Sequence, residues 1–331
     1  MHWRVKGLVQ KLMSFVPARD RAYYLLQRRL GTFRDFPREF EGKVDDWRIM
    51  VGHLAAAGQP ITGAHLFEVG TGWYPTFPFM CYLAGAARVV TVDLNRHLKV
   101  EMTRGCAKLL GDHLPVIATA CQIPIDDVRE RHARLLATLD DRLDIGQATG
   151  GVIDYRAPAD ARATGLAADS LDCAFSNSVL EHVPADAIPG IFQESKRILR
   201  PGGLMFHSVN CGDHYAHFDR SITQLHYLRY SDAAWRLWQN DFLYQNRLRA
   251  REFVEMAQGA GFSITLNATN GSERKLRELQ QVRVHPQFTA RFTPEELCIN
   301  SIDFIAKKPP VHAGKAASDP PERFPLDLRG A

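Results

Sequence analysis

From position 64 onward, short apolar runs end in Gly, Asp or Asn and are each followed by a longer stretch with helical period. That alternation is the mark of βαβ units and a parallel sheet. Seven runs qualify as strands: 64–69 (AHLFEV), 88–93 (RVVTVD), 151–155 (GVIDY), 171–176 (LDCAFS), 203–209 (GLMFHSV), 262–267 (FSITLN) and 300–306 (NSIDFIA). A helix is expected over 251–260. Residues 94–150 and 210–250 are longer connections than a compact α/β unit needs, and insertions after parallel strands are where such enzymes build substrate specificity. The ends follow other patterns. In 3–16, Val5, Leu8, Val9, Leu12, Met13 and Val16 repeat with helical period against Arg4, Lys6, Gln10, Lys11 and Ser14, which predicts a basic amphipathic helix. A second helical stretch runs from about Asp20 to Leu30, and from 307 the chain loses apolar period and reads as a disordered tail. The expected organisation is a helical extension over 1–50, an α/β domain over 51–306 carrying both insertions, and a tail over 307–331.

Charge changes this picture by its distribution. The 331 residues carry a net +4. Residues 1–31 hold seven basic residues and one acid, and 307–331 hold five basic and three acidic residues, so 32–306 is left with 29 basic against 33 acidic. A body without net positive charge does not favour nucleic acid as a partner. No two of the six cysteines lie closer than 15 positions, so neither a CxxC pair nor a zinc knuckle can be written. Reduced thiols in a cytoplasmic protein are the expectation. No run of about 20 apolar residues suggests a membrane span, and the N-terminus lacks the h-region and cleavage site of a signal peptide.

The chemistry starts at Glu68-Val69-Gly70-Thr71-Gly72-Trp73-Tyr74-Pro75, directly after the first strand. Gly70 and Gly72 allow a sharp turn and close approach of a ligand to the backbone. Pro75 stands where a dinucleotide fingerprint wants its third glycine, which departs from a nicotinamide or flavin site. Asp93 follows 21 positions after Gly72, where a carboxylate accepts hydrogen bonds from ribose hydroxyls. Asp160, after the third strand, is placed to accept from an adenine amine, to cap a helix, or only to decorate a loop. Then come Ser176-Asn177-Ser178-Val179-Leu180-Glu181-His182-Val183 and Ile198-Leu199-Arg200-Pro201-Gly202-Gly203.

With these pieces in this order the chain resembles the class I S-adenosylmethionine-dependent methyltransferases, and within them the type 11 group with its LEHV-like element and LRPGG turn. The resemblance covers roughly residues 60–306. It implies a Rossmann-like α/β fold: a seven-stranded, mostly parallel sheet with an antiparallel last strand and helices on both faces. It also implies S-adenosyl-L-methionine as cofactor. Carried over residue by residue, Glu68, Gly70 and Gly72 line the methionine part, Asp93 takes the ribose, Asp160 the adenine side, and Asn177 follows the fourth strand. The family often has a glycine where Tyr74 stands here.

Beyond the cofactor the residues leave alternatives open. His182 is either a base near the acceptor or a group that fixes its loop. His207, Asp213, His214, His217 and Asp219 form a dense polar cluster that suits acceptor binding with His214 as general base, a divalent metal, or a hydrogen-bonded loop. No spacing fixes a metal's geometry, and no metal ligand is assigned. Asp213, His217 and Arg247 are expected to contact the acceptor. Tyr227, Tyr230, Trp235, Trp238, Phe242 and Tyr244 read as helix packing or as the wall of a pocket. The helix at 3–16 packs on its own domain or a partner, or lies on the inner face of a membrane. The expected function is O-methylation of a sugar, glycan precursor or other small metabolite with a histidine base. A nicotinamide-dependent oxidoreductase and a non-catalytic cofactor-binding scaffold are the competing readings.

Overall fold

The computed structural model describes residues 2–13, 24, 35–139, 144–240 and 244–310. The predicted Asp20–Leu30 helix and most of the tail therefore lie outside the described residues, Tyr24 excepted, as does Phe242.

All seven predicted strands are present: β1 (His65–Val69), β2 (Arg88–Val92), β3 (Ile153–Arg156), β4 (Leu171–Asn177), β5 (Leu199–Asn210), β6 (Ser263–Thr269) and β7 (Ser301–Lys307). They form one sheet in the order β3-β2-β1-β4-β5-β7-β6. β1 to β5 run parallel, while β7 is antiparallel to both β5 and β6. The last strand is thus the antiparallel one, as expected. The order reverses at β1 and β4, and a ligand crevice opens beyond the carboxyl ends of strands at such a switch point.

Strand alternation divides the core into two layers. Leu66, Val89, Cys173, Phe175 and Phe206 point to one face, and Phe67, Val69, Val90, Val92 and Ala174 to the other. On the second face lie α7 (Ile188–Ile198) and α8 (Ala250–Gly259), which bury Phe192 and Phe253. The first face is covered by α2 (Phe36–Ala56), α3 (Thr76–Leu83), α4 (Val100–Leu109), α5 (Leu114–Cys121) and α6 (Ile125–Thr138). The 94–150 connection thus supplies the helices α4 to α6 that close the core on this face.

The domain boundary expected at 50 falls inside α2. Phe40, Val44, Trp47, Val51 and Leu54 follow helical spacing and are buried in the first layer, so the catalytic body begins at α2. At the other end Lys307 closes β7, and Lys308 still exchanges backbone hydrogen bonds with Gly202 and Gly203.

The N-terminal helix α1 (Trp3–Met13) forms, and it packs on its own domain, one of the alternatives the sequence left open. It buries Trp3, Lys6, Gly7 and Gln10, while Val5, Leu8, Val9 and Leu12 are exposed. Its partner is a third, aromatic cluster made of Trp3, Tyr215, Tyr227, Leu228, Trp235 and Phe288. Tyr215, Tyr227, Tyr230, Trp235 and Trp238 of the 210–250 insertion therefore serve packing, through 3-10 turns and the short helix Asp232–Trp235 more than through long helices, while Tyr244 lines a cavity.

Arg249 holds this cluster to the sheet. It is fully buried and donates to the carbonyls of Cys211 (2.7 Å), Leu297 (3.1 Å) and Ile299 and to the Tyr227 hydroxyl (2.8 Å). Removing it leaves several buried acceptors unmet, each costing about 1–3 kcal/mol. Arg249→Leu is expected to lower stability by about 3–5 kcal/mol, measured as a drop in the urea midpoint. A loss below about 1 kcal/mol contradicts the clamp role.

Candidate functional site

Two connected cavities open at the switch point. The larger, about 600 Å³, is lined by Gly70, Gly72, Asp93, Asn95, Asp160, Val179 and His182 among others. The smaller, about 180 Å³, lies under α2 and is lined by Glu39, Lys43, Glu68, Trp73, Tyr74 and Asn177 among others. Gly70, Gly72, Trp73, Ser178 and Val179 border both, and the larger volume lies within the range of small-molecule sites.

The glycine loop is shaped by backbone constraint. Gly70 has φ +87° and Gly72 φ +74°, values that disfavour any side chain. A Cβ on Gly70 would also lie 2.5 Å from the Val179 side chain, so the β1 and β4 loops approach as closely as they do only with glycine there. The Gly72 N–H donates to Asp93 Oδ2 (2.9 Å) and the Asn95 N–H to Oδ1 (3.1 Å). Asp93 thus stands just past β2 with its carboxylate held at the mouth of the larger cavity.

Strand register explains the next acid. Glu68 on β1 lies opposite Thr91 on β2, so both side chains point to the first face. The Thr91 hydroxyl bonds to Glu68 Oε2 and sits 2.5 Å from the Thr71 hydroxyl. Burial pushes the Glu68 carboxyl up to about 8.

Asn177, at the end of β4, accepts from Lys43 Nζ at 2.7 Å. Lys43 and Glu39 are functional candidates that sequence reasoning missed. They stand one turn apart on α2, a spacing that ordinarily marks a surface pair. Asp160 is on the expected rim, half-buried, and it is clasped by Arg162 through Nε (3.0 Å) and Nη2 (2.6 Å). That guanidinium holds its carboxyl below the usual range.

Beyond the larger cavity, three imidazoles form a row. The ring centroids of His182 and His214 are 4.9 Å apart, and those of His214 and His217 5.6 Å. His182 Nδ1 bonds to the Tyr244 carbonyl (2.7 Å), which aligns the ring. Asn246 fixes the turn carrying His182 by donating to the carbonyls of Leu180 (2.6 Å) and Val183 (2.9 Å). His214 Nε2 is buried without a hydrogen-bond partner, and so is Glu181 Oε2. Donor atoms of Glu181, His182 and His214 lie within 4.8 Å of one another. Burial pushes the His214 imidazole down to about 3 and the Glu181 carboxyl up, so His214 is neutral near pH 7.

Two expected acceptor contacts are committed elsewhere. The Arg247 guanidinium donates to the carbonyls of Tyr227 (3.0 Å) and Tyr230 (2.7 Å) and pairs with Asp232. It is buried because the insertion's own chain ends need its donors, a correction to the anion-contact reading. Asp213 is likewise fully buried, accepting from the Tyr215 N–H (2.9 Å) and facing His226 Nδ1 at 3.0 Å. It shapes the turn that presents His214. His207 also lies apart from the site, buried in the sheet with its Nδ1 2.6 Å from the Ser176 hydroxyl.

A family model for a methyltransferase domain matches residues 53–267. Among solved structures, a candidate sarcosine dimethylglycine methyltransferase from Galdieria sulphuraria is 14% identical, with 82% of this chain and 88% of that chain covered and a TM-score of 0.45. An S-adenosylmethionine-dependent methyltransferase from Mesorhizobium loti is 17% identical, with 77% and 95% covered and a TM-score of 0.41. The geranyl diphosphate C-methyltransferase of Streptomyces coelicolor A3(2) is 12% identical, with 78% of each chain covered and a TM-score of 0.43. No curated protein sequence matches the chain.

Proposed function

The chain belongs to the S-adenosylmethionine-dependent class I methyltransferases, and we propose that it methylates a hydroxyl of a sugar, glycan precursor or other small metabolite with His214 as general base. The observation that carries this reading is the buried, unpartnered Nε2 of His214, one imidazole away from the cofactor cavity.

The residues present suit the cofactor. Asp93, held by the Gly72 and Asn95 amides, offers a carboxylate to the ribose hydroxyls, and the turn of Gly70 and Gly72 leaves its backbone bare for close approach. Asp160 sits on the adenine side once Arg162 shares it. At the methionine end, Lys43 is the cation for the amino acid's carboxylate, and Glu68 lies beneath it. The cofactor supplies a methyl group already activated on a sulfonium, so the protein's work is alignment and removal of the acceptor's proton. His214 would take the hydroxyl proton as the acceptor is methylated, with Glu181 beside the developing imidazolium.

Glu68 gives the site a pH signature. Between the usual carboxylate value and about 8 it stays protonated in the folded protein, and a nearby cationic ligand favours the ionised form. Cofactor binding at pH 7 is therefore expected to release a proton and to tighten as pH rises toward 8. Calorimetry in buffers of different ionisation enthalpy measures this. Release that persists in Glu68→Gln assigns it to another group.

One observation favours a second reading: the spacing of Glu181, His182 and His214 also suits a divalent cation that polarises the acceptor hydroxyl. The test of the main reading is transfer of a labelled methyl group to hydroxyl acceptors, with NMR locating it in the product. An O-methyl product formed equally well after EDTA treatment supports the histidine base. Activity lost to EDTA and restored by manganese supports the cation, and a methyl found on nitrogen or carbon rejects the hydroxyl acceptor.

A further inference from the structure

The exposed face of α1 has no role in the chemistry above, and the geometry that leaves it exposed is specific. A Cβ on Gly7 would lie 2.9 Å from the Tyr215 hydroxyl and 3.4 Å from the Trp238 ring, so only glycine lets the helix settle this closely on its docking face. The Trp3 N–H donates to Asp219 Oδ2 (2.8 Å), Lys11 Nζ donates to the Leu237 carbonyl (3.0 Å), and Arg4 lies over the rings of Trp3 and Trp238. These contacts fix the rotation of the helix about its axis. With the rotation fixed, Val5, Leu8, Val9 and Leu12 face outward at 52%, 57%, 42% and 61% exposure, and Leu237, whose carbonyl Lys11 reaches, is 64% exposed. Positions 5, 8, 9 and 12 form one stripe of a helix. Burying apolar surface is the ordinary use of such a stripe, and here the fold turns it away from the core.

The charge around the stripe selects its partner. α1 carries no acid; Lys6 is buried against the Phe218 ring, which leaves exposed Arg4 and half-buried Lys11 as the cations beside the stripe, and residues 1–31 as a whole hold seven basic residues against one acid. A basic amphipathic helix with an aliphatic stripe matches an anionic bilayer surface, whose acyl boundary takes the stripe and whose headgroups take the cations. A second copy of the chain is a poorer match. Five aliphatic side chains fall short of the roughly 800 Å² per partner of a stable interface, and a two-fold contact would set the basic arms against each other. We propose that α1 docks the enzyme on an anionic lipid surface through Val5, Leu8, Val9, Leu12 and Leu237. This goes beyond the acceptor reading and stands without it. Because Lys6 lies over the Phe218 ring and His217 is near it in the insertion, the docked face adjoins the acceptor side of the site.

The test is co-sedimentation of the full chain with vesicles of phosphatidylcholine alone and of phosphatidylcholine with phosphatidylglycerol, with circular dichroism of each variant. The parent protein is expected to partition onto the anionic vesicles at least tenfold more than onto the neutral ones. The double variant Leu8→Asp, Leu12→Asp is expected to lose at least tenfold of that partition with unchanged melting. Arg4→Glu with Lys11→Glu is expected to lose the preference for anionic lipid. No preference in the parent, equal partition of the Asp variant, or a parent dimer that the Asp variant disperses in light scattering each overturns the proposal. Cofactor affinity is read alongside and is expected to stay constant in all variants, so a failure here is distinct from a failure of the methyl-transfer reading.

Discussion

Asp93→Ala is expected to weaken S-adenosylmethionine binding by about a hundredfold or more. A carboxylate that accepts two ribose hydroxyls makes charge-assisted hydrogen bonds of about 1.5–3 kcal/mol each, and about 1.4 kcal/mol is a tenfold change in Kd. The same substitution strips the Gly72 and Asn95 amides of their acceptor, which loosens the loop carrying Gly72. Asp93→Asn keeps an oxygen but turns an acceptor into a donor, and an intermediate loss is expected. Equilibrium binding measures both. A change under about threefold in Asp93→Ala, less than 1 kcal/mol, removes Asp93 from the ribose site.

His214→Ala is expected to lower kcat by about two to four orders of magnitude, the usual range for a general base, while leaving cofactor affinity within about twofold. The split follows from position. His214 lies beyond His182, outside the lining of the cofactor cavity, so its loss touches the acceptor step only. His182→Ala is expected to cost less in kcat and more in cofactor affinity, because His182 itself lines that cavity. Initial rates and binding on the same preparations distinguish the two residues, and equal effects would reject the division of labour.

The strands were legible because each is a short apolar run bounded by turn residues, and β1, β2 and β4 lie within a residue of their expected limits. The turn at Gly70 and Gly72 was legible for a related reason: a left-handed backbone that only glycine tolerates must appear in the sequence as glycine. What failed has physical causes that a pattern does not carry. The sequence left open what α1 packs on, and its aliphatic stripe does not say which face docks. Trp3 brings more area than any one of those aliphatics, and Gly7 admits Tyr215, so the aromatic face docks instead. Arg247 and Asp213 looked like acceptor contacts because charge dense in an insertion suggests function. Their partners are backbone groups of that same insertion together with the side chains of Asp232 and His226, and no spacing reveals this. Lys43 was hidden because α2 reaches the site only by folding back over the β1 and β4 loops, a contact across 134 positions.

Calorimetric titration of S-adenosylmethionine into the parent protein, Asp93→Ala and His214→Ala tests the central claim most directly, since it asks whether the cofactor cavity and the acceptor base are separate parts of one site. One binding site per chain is expected in the parent, with loss of most of that affinity in Asp93→Ala and near-parent affinity in His214→Ala. Absent binding in the parent, or affinity lost equally in both variants, would contradict that claim.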